Sequence, residues 1–180
     1  MPRLETGRLI LRPPEYSDAP AISALIGEYD VAKTLAEVPH PYGEADAYEF
    51  VSNASFRRAR GEGFVFAILY REDLALLGTC GLRLVDGTFD LGYWIGRPYW
   101  GMGVATEAAR KLVSFAFNSL RSERLSAGWF ADNPASGRVL EKLGFVADGS
   151  VSQPCRARGV ELLCNRMTLT KENFGRKKAA

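Results

Sequence analysis

With 180 residues, 47% hydrophobic and 24% charged, the chain has the size and composition of one soluble domain around one core. A formal net charge of +2 gives no electrostatic case for nucleic acid, and Cys80, Cys155 and Cys164 form no CxxC pair and stand beside a single histidine, against a disulfide framework or a metal site. No apolar run approaches a membrane span and the opening "MPRLETGRLI" lacks a signal-peptide core, so a cytoplasmic protein without a membrane partner is expected.

In chain order, "RLILR" (8–12) alternates like a short strand, and "YSDAPAISALIGE" continues with helical spacing behind a Ser17/Asp18 cap. The two prolines of "VPHPYG" (38–43) mark a loop. From Glu44 to Arg60 the residues Ala47, Tyr48, Phe50, Val51, Ala54 and Ala59 suggest a second helix, closed by "GEG". The period then changes: 64–70, 74–85 and 88–96 read as three strands, joined by "RED" and "DG", which are short enough for hairpins. Past a glycine turn, Val104, Ala108, Leu112 and Phe115 share one face of a buried helix. A strand over 123–131 follows, then "NPASGRVLEKLGF", a short helix with Asn133 as cap, Pro134 at its first position and Gly144 as its stop. Two further strands are expected around Val146–Ser152 and Val160–Leu169. The whole is a single mixed α/β domain over 1–171, ending in a basic tail, 172–180, whose Arg176, Lys177 and Lys178 read as a solvated terminus.

The turn "PYWGMGVATEA" raises the functional question. A helix beginning near Gly103 leaves its first backbone N–H groups unpaired, and glycines at 101 and 103 let an anion approach them at the positive end of the helix dipole. A P-loop is excluded because no lysine follows Gly103. A dinucleotide fingerprint fits poorly: Thr106 stands in place of the third glycine, Asp132 is the acid available, and hairpins precede the turn. A turn that merely connects two elements stays open on these residues alone.

Four pieces, "LETGRLILRPPEYSDA", "VPHPYGEADAYEFV", "LGYWIGRPYWGMGVATEA" and "NPASGRVLEKLGF", occur in this order over residues 4 to 145. Together with the order of elements they resemble the GNAT superfamily of acyl-CoA-dependent N-acetyltransferases, and in wording the branch that contains the ribosomal-protein alanine N-acetyltransferases. The resemblance implies an α+β fold with a mixed, largely antiparallel central sheet flanked by helices. It implies acetyl-CoA as co-substrate, its pyrophosphate on the backbone of Gly101, Met102, Gly103, Val104 and Ala105, with the Thr106 hydroxyl as a further donor. The strand edge around Trp94 and Ile95 would pair with the pantetheine arm as a strand pairs with a peptide. Pro98 stands where the superfamily commonly has a charged or amide side chain, so phosphate binding should rest on backbone.

The same resemblance gives Asn133 a hydrogen bond near the pantetheine and puts His40 and Tyr42 in the loop lining the acceptor side. Acetyl transfer needs a neutral amine, hence a base; Asp90, at the start of the strand that meets the thioester, is the first candidate and Glu161 the second. The superfamily's usual acid, a tyrosine, is Leu140 here; Ser136 is the hydroxyl that this branch offers instead. The expected activity is direct transfer from acetyl-CoA to a primary amine, on a protein N-terminus or a small molecule. A non-catalytic acyl-CoA-binding module and, further off, a dinucleotide-binding protein are the alternatives, and a homodimer stays open.

Overall fold

The computed structural model describes residues 2–178. Among them eight strands form one sheet: β1 (Leu4–Glu5), β2 (Leu9–Arg12), β3 (Gly63–Tyr70), β4 (Leu76–Val85), β5 (Thr88–Ile95), β6 (Arg124–Phe130), β7 (Val146–Cys155) and β8 (Val160–Thr170), in the spatial order β1-β2-β3-β4-β5-β6-β8-β7. Every neighbouring pair is antiparallel except β5 and β6. The hairpin strands and the mixed sheet are as the sequence predicts, and a doubly wound parallel sheet for a dinucleotide is absent.

Strand alternation sorts the core onto two faces. Phe66 and Ile68 of β3 point to one side, where they meet α4 (Val104–Asn118) through Ala108, Leu112, Phe115 and Ala116. Ala67 and Leu69 point to the other, against Ile22 and Ile26 of α1 (Ala19–Ile26) and Ala47 and Val51 of α3 (Glu44–Ala59). Between these two helices lies one short turn of helix unannounced by the sequence, α2 (Tyr29–Ala32). The last two helices are α5 (Pro134–Leu143), beside α4, and α6 (Lys171–Lys178).

Several boundaries differ from expectation for local reasons. β4 begins at Leu76 rather than 74, because Leu74 is left-handed (φ 60°) inside a turn closed by Tyr70 N–H to the Ala75 carbonyl and by the Asp73 carboxylate on Ala75 N–H. β7 runs on to Cys155 past a bulge between Ala147 and Ser150. Buried Asp18 stands at the N-cap of α1 as expected, but its side chain makes no capping bond there; its carboxylate takes both terminal nitrogens of Arg12 at 2.7 Å and the Glu15 N–H at 2.8 Å. Residues 172–178, expected as part of a tail, are helical, and Phe174 is buried against Phe117. The side chains of Arg176, Lys177 and Lys178 lie outside the described residues.

Candidate active site

The site starts from a defect in the sheet. β5 and β6 run parallel and pair only over Phe89–Leu91 and Leu125–Ala127. Beyond those residues β5 stays on β4 as far as Ile95, β6 stays on β8 as far as Phe130, and the two arms part. The gap opens into a cavity of about 870 Å³ lined by both arms, by the glycine turn, by α5 and by the loop before α3.

On the β5 arm, the Ile95 carbonyl accepts from the Trp100 indole at 2.7 Å, whereas Gly96 N–H bonds back to Leu77 on β4. Backbone groups alternate along a strand, so Tyr93 and Ile95 face the gap and Trp94 faces β4. The Trp94 side chain packs into the α1/α3 core, 8% exposed, and the residue also borders the cavity. A ligand lying along this arm would meet the backbone of Tyr93 and Ile95, one residue displaced from the expected pair.

At the end of that arm the chain turns into α4. Gly101 and Gly103 both have positive φ (75° and 77°), a conformation that costs any other residue about 1–2 kcal/mol. A Cβ built on Gly101 would meet nothing within 4 Å. The room beside the turn is thus kept by glycine. The turn faces the first, unpaired N–H groups of α4, and Gly101, Gly103, Val104, Ala105 and Thr106 all line the cavity; Met102 does not. Its carbonyl is instead held by Arg8 at 3.1 Å. Arg8 also grips Glu107 in the first turn of α4 (2.7 Å), as does Thr6 (2.5 Å). Burial opposes the charge on Glu107, but these bonds outweigh it and hold its carboxyl below the ordinary glutamate range.

This fold, with a glycine turn at a helix N-terminus beside two splayed strands, has counterparts among known proteins. Residues 8–146 match the acetyltransferase (GNAT) domain. The chain belongs to the GNAT acetyltransferase family.

Over 177 residues it is 30% identical to the N-acetyltransferase p20 of Bacillus licheniformis, covering 97% of this chain and 99% of that protein. It is 26% identical over 113 residues to the ribosomal-protein-serine acetyltransferase of Escherichia coli (strain K12), covering 61% of this chain and 62% of the other. The fold is shared with the ribosomal L7/L12 α-N-protein acetyltransferase RimL solved in complex with coenzyme A: TM-score 0.83 at 17% identity, over 94% of this chain and 98% of that one. The cavity runs from the glycine turn at one end to the space between α3 and β7 at the other.

The remaining expected residues fall in different places. Asn133 stands at the N-cap of α5, but its ψ of 64° lies outside the extended region and its side chain makes no capping bond. The amide is left in the cavity wall instead. Ser136, in the first turn of α5, also lines the cavity, with its hydroxyl 2.9 Å from that of Tyr93. Leu140, 1% exposed, lies with its side chain in the core and has no proton to give.

Asp90 lines the cavity below the point where the strands part. Its Oδ1 accepts from Ser126 and from Arg166, which ties β5 to β8 across β6; Oδ2 takes part in neither bond. Glu161, the second carboxylate considered, is exposed on β8, bonded by Ser152 at 2.9 Å and away from the cavity. Of the two acceptor-loop residues, Tyr42 lines the cavity, and its phenol is pushed up to about 12 by burial and by the charges of Asp46 and Glu49. His40 does not; it is exposed and packs edge-on against Tyr29 at 5.1 Å.

Three residues were missed. Arg138 and Lys142, four apart on the polar face of α5, also line the cavity and bring positive side chains to its wall. Their spacing on a capped amphipathic helix was the available signal. Tyr93 was missed because an aromatic in a strand reads as core.

Proposed function

We propose that this GNAT acetyltransferase moves the acetyl group of acetyl-CoA directly to a primary amine, on a protein N-terminus or a small molecule. The single observation that carries this is the continuity of the cavity: one space joins the Gly101/Gly103 turn, the parted β5 and β6 arms and the Tyr42 side of α3. Diphosphate, thioester and amine can then lie in one line, as a ternary complex requires.

The residues fit the co-substrate. Glycine turn and helix N-terminus suit the pyrophosphate, with Arg138 and Lys142 adding charge, and the backbone of Tyr93 and Ile95 suits the amides of the pantetheine arm. Asn133 has a free side-chain amide beside that path. No covalent relay is needed: all three thiols are buried, and burial raises Cys80 and Cys164 away from the thiolate form. An α-amino group titrates near ~8, so a fraction is neutral at pH 7 and a base helps most in acid. Asp90 is assigned that task through its uncommitted Oδ2, with water between it and the amine. Ser136 gives the departing thiolate its proton.

The acceptor is open between the peptide and small-molecule classes. The ribosomal relatives favour a protein α-amino group. An acetyl-CoA-dependent screen across N-terminal peptides, amino acids and polyamines, read by thiol release, tests both classes. Acetyl-CoA should also raise the melting temperature by mass action. Stabilisation by NAD with none from acetyl-CoA sinks the proposal; binding without turnover on any amine turns it into a non-catalytic acyl-CoA module.

A further inference from the structure

Tyr93 lies on the β5 arm and Ser136 on α5, which follows the β6 arm, so the contact between them bridges the two sides of the cavity. The Tyr93 hydroxyl is 2.9 Å from both the Ser136 hydroxyl and the Ser136 carbonyl oxygen. The ring is packed against the main core, which leaves the hydroxyl little freedom to swing elsewhere. Burial pushes the phenol up to about 12, only partly offset by the bond to Ser136. It therefore keeps its proton at any pH where an amine would be assayed.

We propose that Tyr93 is a positioning residue for acetyl transfer, its hydroxyl fixing the Ser136 oxygen in the cavity wall so that the Ser136 proton points at the departing sulfur. This rests on the assignment of Ser136 as the donor to that sulfur. In the step itself the N–C bond forms and the C–S bond breaks, and the electron pair of the C–S bond leaves with sulfur. Sulfur takes the Ser136 proton, and the proton shed by the attacking nitrogen restores the serine through water. One proton leaves nitrogen and one arrives at sulfur, so no outside acid is consumed.

Tyr93 is not itself the terminal acid. Its O–H donates to the Ser136 carbonyl, and the 2.9 Å contact between the two hydroxyls, in which either can donate, holds Oγ in place; in the reactive arrangement Tyr93 shares its hydrogen with Oγ and the serine's own hydrogen turns into the cavity. Leu140, one turn further along α5, has no proton to give.

The test is a double-mutant cycle of Tyr93→Phe and Ser136→Ala in single-turnover acetyl transfer, with acetyl-CoA binding measured in parallel. Tyr93→Phe keeps the ring and should slow transfer by roughly 10- to 100-fold, the range for a misplaced catalytic group, with acetyl-CoA affinity changed less than about two-fold. The double variant should be no slower than Ser136→Ala alone, since a residue acting through another adds nothing once the other is gone. Losses that simply multiply, or a Tyr93→Phe variant as fast as the parent, overturn the proposal while leaving Ser136 in place. A fully active Ser136→Ala overturns the underlying assignment instead. Should Tyr93→Phe fail to fold, difluorotyrosine at position 93 keeps ring and hydroxyl but titrates lower. The rate should then fall on the alkaline side where the parent's does not, and an unchanged pH profile overturns the proposal.

Discussion

At the glycine-turn end the cavity wall is mainly backbone: two positive-φ glycines and the N-terminus of α4, with an Arg8–Glu107–Thr6 brace behind them. At the end where β5 and β6 part it is side chains drawn from distant segments, Tyr93 on Ser136 and Asp90 on Ser126 and Arg166. The turn of the first end is one continuous stretch and presents mainly backbone, with its brace behind it. The second works only if four separate elements are brought within hydrogen-bond distance. The first end should fail on added bulk; the second should fail on the loss of a single oxygen.

The sharpest contrast is expected from Ser136→Ala. Removal of one hydroxyl should lower kcat by up to roughly 10⁴-fold, the span for an acid–base group. Acetyl-CoA affinity and thermal stability should hold, because Ser136 is not the cap of α5. Unchanged single-turnover rates would mean that the thiolate is protonated by solvent and that this end does not depend on its side chains.

Gly101→Ala should do the reverse. The new methyl enters space that is open in the protein, with nothing within 4 Å, so CoA affinity should fall about ten-fold, equivalent to about 1.4 kcal/mol. The left-handed backbone should cost a further 1–2 kcal/mol or so of stability. Turnover at saturating acetyl-CoA should stay close to the parent's. Calorimetric titration with CoA decides it; normal affinity in a folded variant would reduce the turn to a connector.

Asp90→Asn probes whether this carboxylate serves chemistry or the sheet. As a base through Oδ2, its loss should lower kcat/KM about ten-fold near neutral pH, converging on the parent at alkaline pH where the amine is already neutral. As a strut, its loss should lower the melting temperature and leave the shape of the pH–rate profile alone. The contact to Arg166 is only partly buried, with side chains 20% and 28% exposed, so the strut by itself is a modest contribution.

The smallest effect belongs to the brace. Glu107 is held below its ordinary value, so its contribution is fully present above about pH 4.3 and is lost as pH falls below that, through the depressed value. Arg8 is half exposed, so Glu107→Gln should cost under about 1 kcal/mol at pH 7. The difference between variant and parent should shrink in acid. A melting-temperature series against pH checks it, and a gap that widens in acid would contradict the sign.

The sequence by itself determined whatever depends on residues near one another in the chain. Hydrophobic period separated strands from helices, the hairpin joins excluded a wholly parallel sheet, and the paired glycines before an amphipathic run marked a turn at a helix N-terminus. Proline at the first position and Gly144 at the end framed α5, and Gly144 is indeed left-handed at φ 101°. Tertiary structure alone decided what those segments touch. It turned Trp94 into core and gave the gap to Tyr93 and Ile95, because which backbone groups of a strand are free depends on its neighbour's register. It removed His40 and Glu161 from the cavity and brought Arg138 and Lys142 to it. It also joined Tyr93 to Ser136 across 43 positions of sequence. A side chain's partner is fixed by packing, and no local pattern encodes a hydrogen bond between two elements that meet only when the sheet closes around them.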